Sequence, residues 1–164
     1  MSVTLHTSLG DIKIEIACDL VPEAAKNFLA LCASNVYDGT IFHRVIPGFM
    51  CQGGFPTVGS AKDARAWNGD YLNDEFSSYL IHDKRGIVAF ANKGLNTNAV
   101  QFYITFDAAS HLDNVSTIFG HVIDGFDTLD AIERCRCGPK NRPVNDIVIK
   151  SVTIHANPIA DMEA

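Results

Sequence analysis

The first sixteen residues alternate apolar and polar side chains with a period of two. Apolar residues occupy every second position at Val3 and Leu5 and again from Ile12 to Ile16, and Ser8 to Asp11 between them is turn-like. Alternation of this kind is typical of half-buried strands. The pattern predicts that the chain opens with an antiparallel hairpin over Val3 to Ile16.

Two stretches have helical spacing instead. Pro22 suits the first helical position, and apolar residues recur at i, i+3, i+4 and i+7 from Ala25 to Cys32. This predicts an amphipathic helix from Pro22 to about Ala33. A second, shorter helix is predicted from Asp127 to about Cys135, because Gly138 and Pro139 are a typical helix stop.

Further strand-like runs are bounded by Gly, Pro, Asn or Asp. They are Thr40 to Ile46, Ile87 to Ala91, Gln101 to Thr105, Ile118 to Ile123 and Ile147 to His155. Many strands with one helix near each end favour a mainly β fold, a closed antiparallel barrel capped by helices, over a βαβ array. At 164 residues the chain is the size of one domain, 1–164, with a loose tail expected at 160–164.

Composition and charge narrow the function. The chain is 47% apolar and 20% charged, which is globular, and its net charge of −6 opposes binding to nucleic acid. It has no signal segment and no run of about 18 apolar residues, so a soluble protein of the cytoplasm or nucleus is expected, with no membrane association. The cysteines are odd in number, which indicates reduced thiols. Cys135 and Cys137 lack the second ligand pair of a zinc site, so no metal is expected.

Two segments have compositions that ordinary strands and loops do not explain. They are FHRVIPGFMCQGG, from Phe42 to Gly54, and ANKGLNTNAVQFYI, from Ala91 to Ile104. Alternation puts Phe42, Arg44 and Ile46 on one face of a strand. From alternation alone, Arg44 could be a surface residue whose stem lies along apolar neighbours, and Gln52 and Asn92 could be turn or edge residues.

In order and spacing, these two segments resemble the paired signature of the cyclophilin family of peptidyl-prolyl cis/trans isomerases. The similarity extends from Val3 to Pro158. The opening MSVTLHTSLGDIKIE, the run NFLALCASN and the ending HANP are most similar to the peptidyl-prolyl isomerase-like 3 (cyclophilin J) subfamily, which is associated with the nucleus and the spliceosome. The resemblance implies a closed barrel of eight antiparallel strands, a helix over each end and a substrate groove along one outer face.

The resemblance also implies the residues of that groove. It implies that Arg44 is the catalytic residue and that Gln52 supports it. The substrate-binding residues that it implies are Phe49, Met50, Ala91, Asn92, Gln101, Phe102, His111 and Leu112. Among them, Phe49, Met50, Phe102 and Leu112 would form the proline pocket, and Asn92 would hold the substrate's main chain.

The chemistry of the reaction explains the need for arginine. Amide resonance sets a barrier of about 18–20 kcal/mol, and the proline nitrogen becomes a hydrogen-bond acceptor only as the bond twists and conjugation is lost. A fixed guanidinium aimed at that nitrogen stabilises the transition state more than the ground state, and its planar fork could donate to Gln52 as well. The reaction needs no metal, cofactor or covalent nucleophile.

Three departures from the family pattern bear on specificity. The usually glycine-rich loop reads FPTVGSAKDARAW, from Phe55 to Trp67, and keeps only Gly59. His111 stands where cyclosporin-sensitive members usually have Trp, so cyclosporin binding is expected to be weakened. Lys93 replaces a small residue at the mouth of a second pocket, which receives the side chain two residues before the proline.

Other functions compete with catalysis. The chain could be a scaffold that docks proline-containing segments in a spliceosomal assembly with little turnover, because fold alone does not determine function. Direct RNA binding is disfavoured. The segment Arg85 to Phe90 resembles the start of an RNP1 strand, but the set of aromatic residues needed to stack bases is missing and the chain is acidic. The sequence contains no Gly-x-Ser-x-Gly elbow, so it gives no indication of a serine hydrolase. The expected partners are proline-containing peptides and proteins, and the chain is expected to be a monomer.

Overall fold

The computed structural model describes residues 1–57 and 59–155. The predicted tail at 160–164 and the last three residues of the HANP ending therefore lie outside the described residues. The strands are β1 (Ser2–Thr7), β2 (Gly10–Ile16), β3 (Arg44–Ile46), β4 (Met50–Gly53), β5 (Ile87–Phe90), β6 (Phe102–Thr105), β7 (Ile118–Asp124) and β8 (Ile149–His155). The α-helices are α1 (Pro22–Ala33) and α2 (Phe126–Glu133).

The opening hairpin and α1 have the predicted bounds to within one residue. Two predictions around the central sheet were wrong. The run from Thr40 to Ile46 is a strand only from Arg44 onward, so Phe42 and Arg44 do not share a face. β4 was missed because its four residues carry no clear alternation of apolar and polar side chains.

All eight strands lie in one antiparallel sheet, in the order β3-β4-β6-β5-β7-β2-β1-β8. Within the described residues, the edge strands β3 and β8 do not pair with each other. The segment before β3 spans the gap instead: the N–H of Gly39 donates to the carbonyl of Ile149 at 2.7 Å, and the N–H of Phe42 to that of Ile147 at 3.0 Å. The sheet is therefore a curled half-barrel with two helices. The predicted closure was wrong, because β3 is only three residues long and isolated bridges replace a ladder.

The inner face of the sheet packs against α1. Phe28 of α1 is fully buried, and its ring centroid lies 4.5 Å from that of Phe119 and 5.7 Å from that of Phe102. A second, smaller apolar cluster covers the outer face of the central strands and consists of Met50, Ile87, Ala89, Tyr103 and Ile118. β4, β5 and β6 thus carry buried apolar side chains on both faces. No helix in the described part of the chain is long and apolar enough to cross a membrane.

Candidate active site

A tight turn sets the register between β3 and β4. Pro47 and Gly48 are its central residues, Gly48 has a φ of 77°, and the N–H of Phe49 donates to the carbonyl of Ile46 at 3.0 Å. This is the geometry of a type II turn, which requires a positive φ at its third residue. The N–H of Gly48 also donates to Oε2 of Glu133 at 2.8 Å, which ties the turn to the end of α2.

This register places four residues in one row across the sheet. Arg44 pairs with Gln52, Gln52 with Tyr103, and Tyr103 with Ala89. Side chains at directly paired positions lie on the same face, here the outer one. The sheet therefore brings the predicted Arg44 and Gln52 side by side although a turn separates them in the chain.

Of Arg44 and Gln52, only Gln52 has a side-chain partner among the described residues. Nε2 of Gln52 donates to Oε1 of Gln101 at 2.8 Å, so these two predicted residues are in contact. Arg44 is exposed, and among the described residues its side chain makes no hydrogen bond or ion pair. The donation from Arg44 to Gln52 that the sequence suggested is not formed. The guanidinium is free to meet a ligand.

An apolar surface lies beside this row, and we call it the apolar wall. It is formed by Phe49, Met50, His111 and Leu112. Met50 is 4% exposed, and Phe49 and Leu112 are half-buried against the same outer cluster. The ring of Phe49 lies 5.6 Å from that of the exposed His111, centroid to centroid. Four predicted groove residues from two distant segments thus form one surface next to Arg44.

Phe102 does not belong to this surface. It is fully buried in the inner core, where its ring lies 5.4 Å from that of Tyr37. Because side chains alternate along β6, its neighbour Tyr103 faces outward instead, as does Gln101. Assigning both Gln101 and Phe102 to the groove conflicts with the period of two. That conflict was the sequence signal for Tyr103, which sequence reasoning missed.

The hydroxyl of Tyr103 is anchored behind the outer cluster by a second pair of residues that the sequence did not single out. Nε2 of His82 lies 2.7 Å from the Tyr103 hydroxyl, and Nδ1 of His82 lies 2.7 Å from Oδ1 of Asp113. Burial lowers the pKa of His82 and raises the pKa of Tyr103 to about 12, so both are neutral near pH 7. Nδ1–H then donates to Asp113, and the Tyr103 hydroxyl donates to Nε2.

Asn92 and Ala91 follow β5 at the side of the groove. The side chain of Asn92 donates to the carbonyl of Val115 at 3.0 Å and accepts from the N–H of Gly94 at 3.3 Å. In the described residues, its own main-chain N–H and C=O make no backbone hydrogen bond. These free groups can pair with an extended ligand strand.

A second pocket adjoins the row on the side of Gln52 and Gln101. It is lined by Gln52, Ala61, Ala64, Tyr71, Ala91, Asn92, Lys93, Thr97, Ala99, Val100 and Gln101. Nζ of Lys93 lies 5.9 Å from the ring centroid of Tyr71, and the guanidinium carbon of Arg65 lies 4.5 Å from it. Two cations therefore flank one aromatic ring of this pocket. Arg65 was not among the predicted site residues.

Cys51 lies next to Gln52 in β4 but on the other face. Its thiol is fully buried, and burial raises its pKa well above the usual range. A buried, protonated thiol is a poor nucleophile. Cys51 therefore takes no part in the chemistry of the groove.

Comparison with known proteins extends these observations. A family described as cyclophilin type peptidyl-prolyl cis-trans isomerase/CLD matches residues 2–154. The chain is 56% identical over 160 residues to peptidyl-prolyl cis-trans isomerase CYP18-1 of Arabidopsis thaliana, covering 98% of this chain and 99% of that protein. It is 54% identical over 161 residues to peptidyl-prolyl cis-trans isomerase-like 3 of Homo sapiens, with the same coverage.

Solved structures agree with the sequence relatives. A cyclophilin type peptidyl-prolyl cis-trans isomerase of Cryptosporidium parvum superposes with a TM-score of 0.90 at 44% identity, covering 96% of this chain and 98% of that one. A second structure of that protein, obtained in the presence of the dipeptide Ala-Pro, has the same TM-score of 0.90 at 43% identity, covering 96% of this chain and all of that one.

Proposed function

The chain belongs to the cyclophilin-type peptidyl-prolyl cis-trans isomerases, and we propose that it isomerises X-Pro bonds in the groove around Arg44. The observation that carries this proposal is the row formed by Arg44, Gln52 and Tyr103 beside the apolar wall. The row combines an unpaired cation with a partly open apolar surface. The substrates are proline-containing peptides and proteins.

Arg44 acts on the proline nitrogen. As the X-Pro bond twists, the nitrogen lone pair is no longer shared with the carbonyl and can accept a hydrogen bond. The guanidinium donates to it only in that state, so the interaction lowers the barrier rather than merely strengthening binding. Gln52, held by Gln101 at 2.8 Å, supplies a fixed polar neighbour that orients the substrate's main chain.

Tyr103, rather than Phe102, is the floor of the proposed proline pocket. Phe49, Met50 and Leu112 would form its sides. A tyrosine suits an apolar floor here because its hydroxyl is already bonded to His82, so the face of the ring can meet the proline ring. The anchored proline ring then stays in place while the acyl side rotates.

The main chain of the substrate would lie along the residues that follow β5. The unpaired N–H and C=O of Asn92 are suited to pair with an extended peptide in the manner of an added strand. Ala91 presents a small side chain beside them, which permits close approach.

The second pocket would select the side chain two residues before the proline. Lys93 lines this pocket, and Arg65, which does not line it, lies 4.5 Å from the ring of Tyr71, a lining residue. Both side chains are cations. We propose a preference for Asp or Glu at that substrate position. Exposed ion pairs contribute only about 0–1 kcal/mol, so the preference is modest.

Two further properties are proposed for the same groove. Weak cyclosporin binding is expected because His111 offers less apolar area than the Trp common at that position. Docking of proline-containing segments within a spliceosomal assembly, in the nucleus or cytoplasm, is the second candidate function. It is favoured by the altered loop, in which Lys62, Asp63 and Arg65 replace the glycines common in the family.

A protease-coupled assay on a proline peptide tests catalysis directly. Arg44→Ala should lower kcat/KM by a factor of about 10²–10³, the usual effect of removing one preorganised donor. Arg44→Lys should restore little of the lost kcat/KM, because the lysine ammonium is a point charge and lacks the planar arrangement of donors of the guanidinium. Arg134→Ala, which removes another exposed arginine outside the groove, is the matched control.

The result that contradicts the proposal is full activity in a folded Arg44→Ala protein. Undetectable turnover in the wild-type protein that still binds the peptide would favour the docking function instead. Circular dichroism of each variant establishes that the fold is intact.

A further inference from the structure

Two thiols lie in contact on the segment that follows α2, away from the groove. The Sγ atoms of Cys135 and Cys137 are 3.7 Å apart, and both residues are partly exposed. A disulfide brings its sulfur atoms to about 2.0 Å, so the two thiols are already near neighbours and would have to approach each other further to form a bond. The remaining cysteines differ: Cys32 and Cys51 are buried, and Cys18 is partly exposed.

Backbone contacts hold one member of this pair in place. Cys137 forms an isolated antiparallel bridge with Pro143, and the N–H of Val144 donates to the carbonyl of Arg136 at 2.8 Å. The Cys137 thiol also lies 3.9 Å from the carbonyl of Val45 in β3. The segment is therefore ordered around the thiols, and their proximity follows from its backbone path.

The surroundings of the pair are basic, although the whole chain carries a net charge of −6. Exposed cations of the same segment are Arg134, Arg136, Lys140 and Arg142. The nearest carboxylates along α2, Asp130 and Glu133, are already paired with Arg85. Unpaired cations attract an anionic reagent.

We propose that Cys135 and Cys137 form a redox-active dithiol site that exchanges with acidic low-molecular-weight disulfides, with oxidised glutathione as the representative reagent. Glutathione disulfide carries a net negative charge at neutral pH, which matches the basic segment. Both thiols pack against the inner core and not against the outer cluster that lines the groove, although Cys137 touches β3, the strand that carries Arg44.

The exchange has two balanced steps. In the first, the deprotonated sulfur of Cys137 attacks one sulfur of glutathione disulfide, the S–S bond breaks, and one glutathione leaves as a thiolate that takes up a proton. In the second, Cys135 loses its proton and attacks the Cys137 sulfur, which forms the protein disulfide and releases the second glutathione. The protein pair is oxidised by two electrons, and the reagent is reduced by two.

The roles of the two thiols follow from their surroundings. Burial, and then the hydrogen bond with Cys137, raise the pKa of Cys135 to about 11, so it is a thiol at neutral pH. Such a group suits the second step, which is intramolecular. There the short distance between the two sulfur atoms compensates for the small fraction of Cys135 that is a thiolate. The disulfide closes a very short loop, so it gains little chain-entropy stabilisation and is readily reduced again.

Mass spectrometry of the folded protein tests the site. The wild-type protein is incubated with oxidised glutathione, its remaining thiols are blocked, and the peptides are mapped. The peptide that contains Cys135 and Cys137 should lose two hydrogens and carry no glutathione, and dithiothreitol should reverse the change. Cys135→Ser should instead retain one glutathione on Cys137.

Cys18→Ser is the matched control, because Cys18 is also partly exposed. This variant should form the Cys135–Cys137 disulfide as the wild-type protein does. In the wild-type protein, any adduct on Cys18 should stay a mixed disulfide, because no second thiol contacts it among the described residues. Stable glutathione on Cys135 or Cys137 in the wild-type protein would overturn the proposal. So would a pair that stays reduced while Cys18 reacts.

Discussion

The two faces of strands β4, β5 and β6 are both apolar, yet they differ in how completely they are covered. On the inner face, Phe90 and Phe102 are fully buried by rings from α1 and neighbouring strands. On the outer face, the cluster around Met50 ends in half-buried Phe49 and Leu112 and in the unpaired cation of Arg44. The apolar side chains of the inner face are fully buried within the protein, whereas those of the outer face keep exposed surface that a ligand can cover.

This difference predicts that substitutions on the two faces will have different consequences. Inner substitutions should change the free energy of unfolding, because they open cavities in a saturated core. Outer substitutions should change turnover or binding, because they alter a surface that is complete only with substrate. Four experiments examine this separation, in addition to Arg44→Ala.

The largest expected effect is on the inner face. Phe102→Ala should lower the free energy of unfolding by about 3–5 kcal/mol, because it leaves a cavity among the rings of Phe28 and Tyr37. Urea denaturation measures the loss. The kcat/KM of the remaining folded protein should change far less than in Arg44→Ala. A large loss of kcat/KM without a loss of unfolding free energy would contradict this assignment and indicate that Phe102 contacts the substrate.

Tyr103→Phe examines the one outer residue that is tied to a buried network. The ring remains, but Nε2 of the buried His82 loses its partner, which should cost about 1–3 kcal/mol of unfolding free energy. Turnover should be retained, since the hydroxyl is directed away from the groove. Tyr79→Phe, at a position that is 82% exposed, is the control. Equal stabilities for the two variants would show that the His82 bond contributes nothing.

His111→Trp enlarges the apolar wall beside Phe49. An indole adds apolar area and one N–H donor, so cyclosporin affinity should rise by about tenfold, or roughly 1.4 kcal/mol. Isothermal titration calorimetry compares the variant with the wild-type protein. Indistinguishable affinities would mean that His111 does not limit this ligand.

The smallest effect is expected at the second pocket. Peptides with Glu two residues before the proline should be turned over up to about fivefold faster than peptides with Lys there, and added salt should reduce the difference. Lys93→Glu should invert the preference. Lys84→Glu, a matched charge change at an exposed position outside the pocket, should leave it unchanged. Equal rates for acidic and basic peptides at low salt would make Lys93 an ordinary surface charge.

The sequence by itself was sufficient to predict the secondary-structure elements that depend on local contacts and most of the residues proposed to act in the groove. The opening hairpin and α1 depend on contacts between residues close in the chain, so periodicity, Pro22 and turn residues were sufficient to predict them. Resemblance supplied Arg44, Gln52 and the residues of the apolar wall, because these residues lie in two short stretches of the chain, Arg44 to Gln52 and His111 to Leu112. The network of Tyr103, His82 and Asp113 was not predicted from the sequence, because its hydrogen bonds join residues that are 21 and 31 positions apart in the chain.

Only the tertiary structure decided which face each side chain occupies and whether the sheet closes. A shift of one residue moves a side chain to the opposite face, and the observed pairing of β6 with β4 and β5 puts Phe102 inside and Tyr103 outside. Closure depended on whether β3 and β8 could pair, and the segment from Gly39 to Phe42 already occupies that gap. Alternation along β6 puts Phe102 and Tyr103 on opposite faces, but long-range hydrogen bonds between strands decide which of the two faces the core, and they also decide closure.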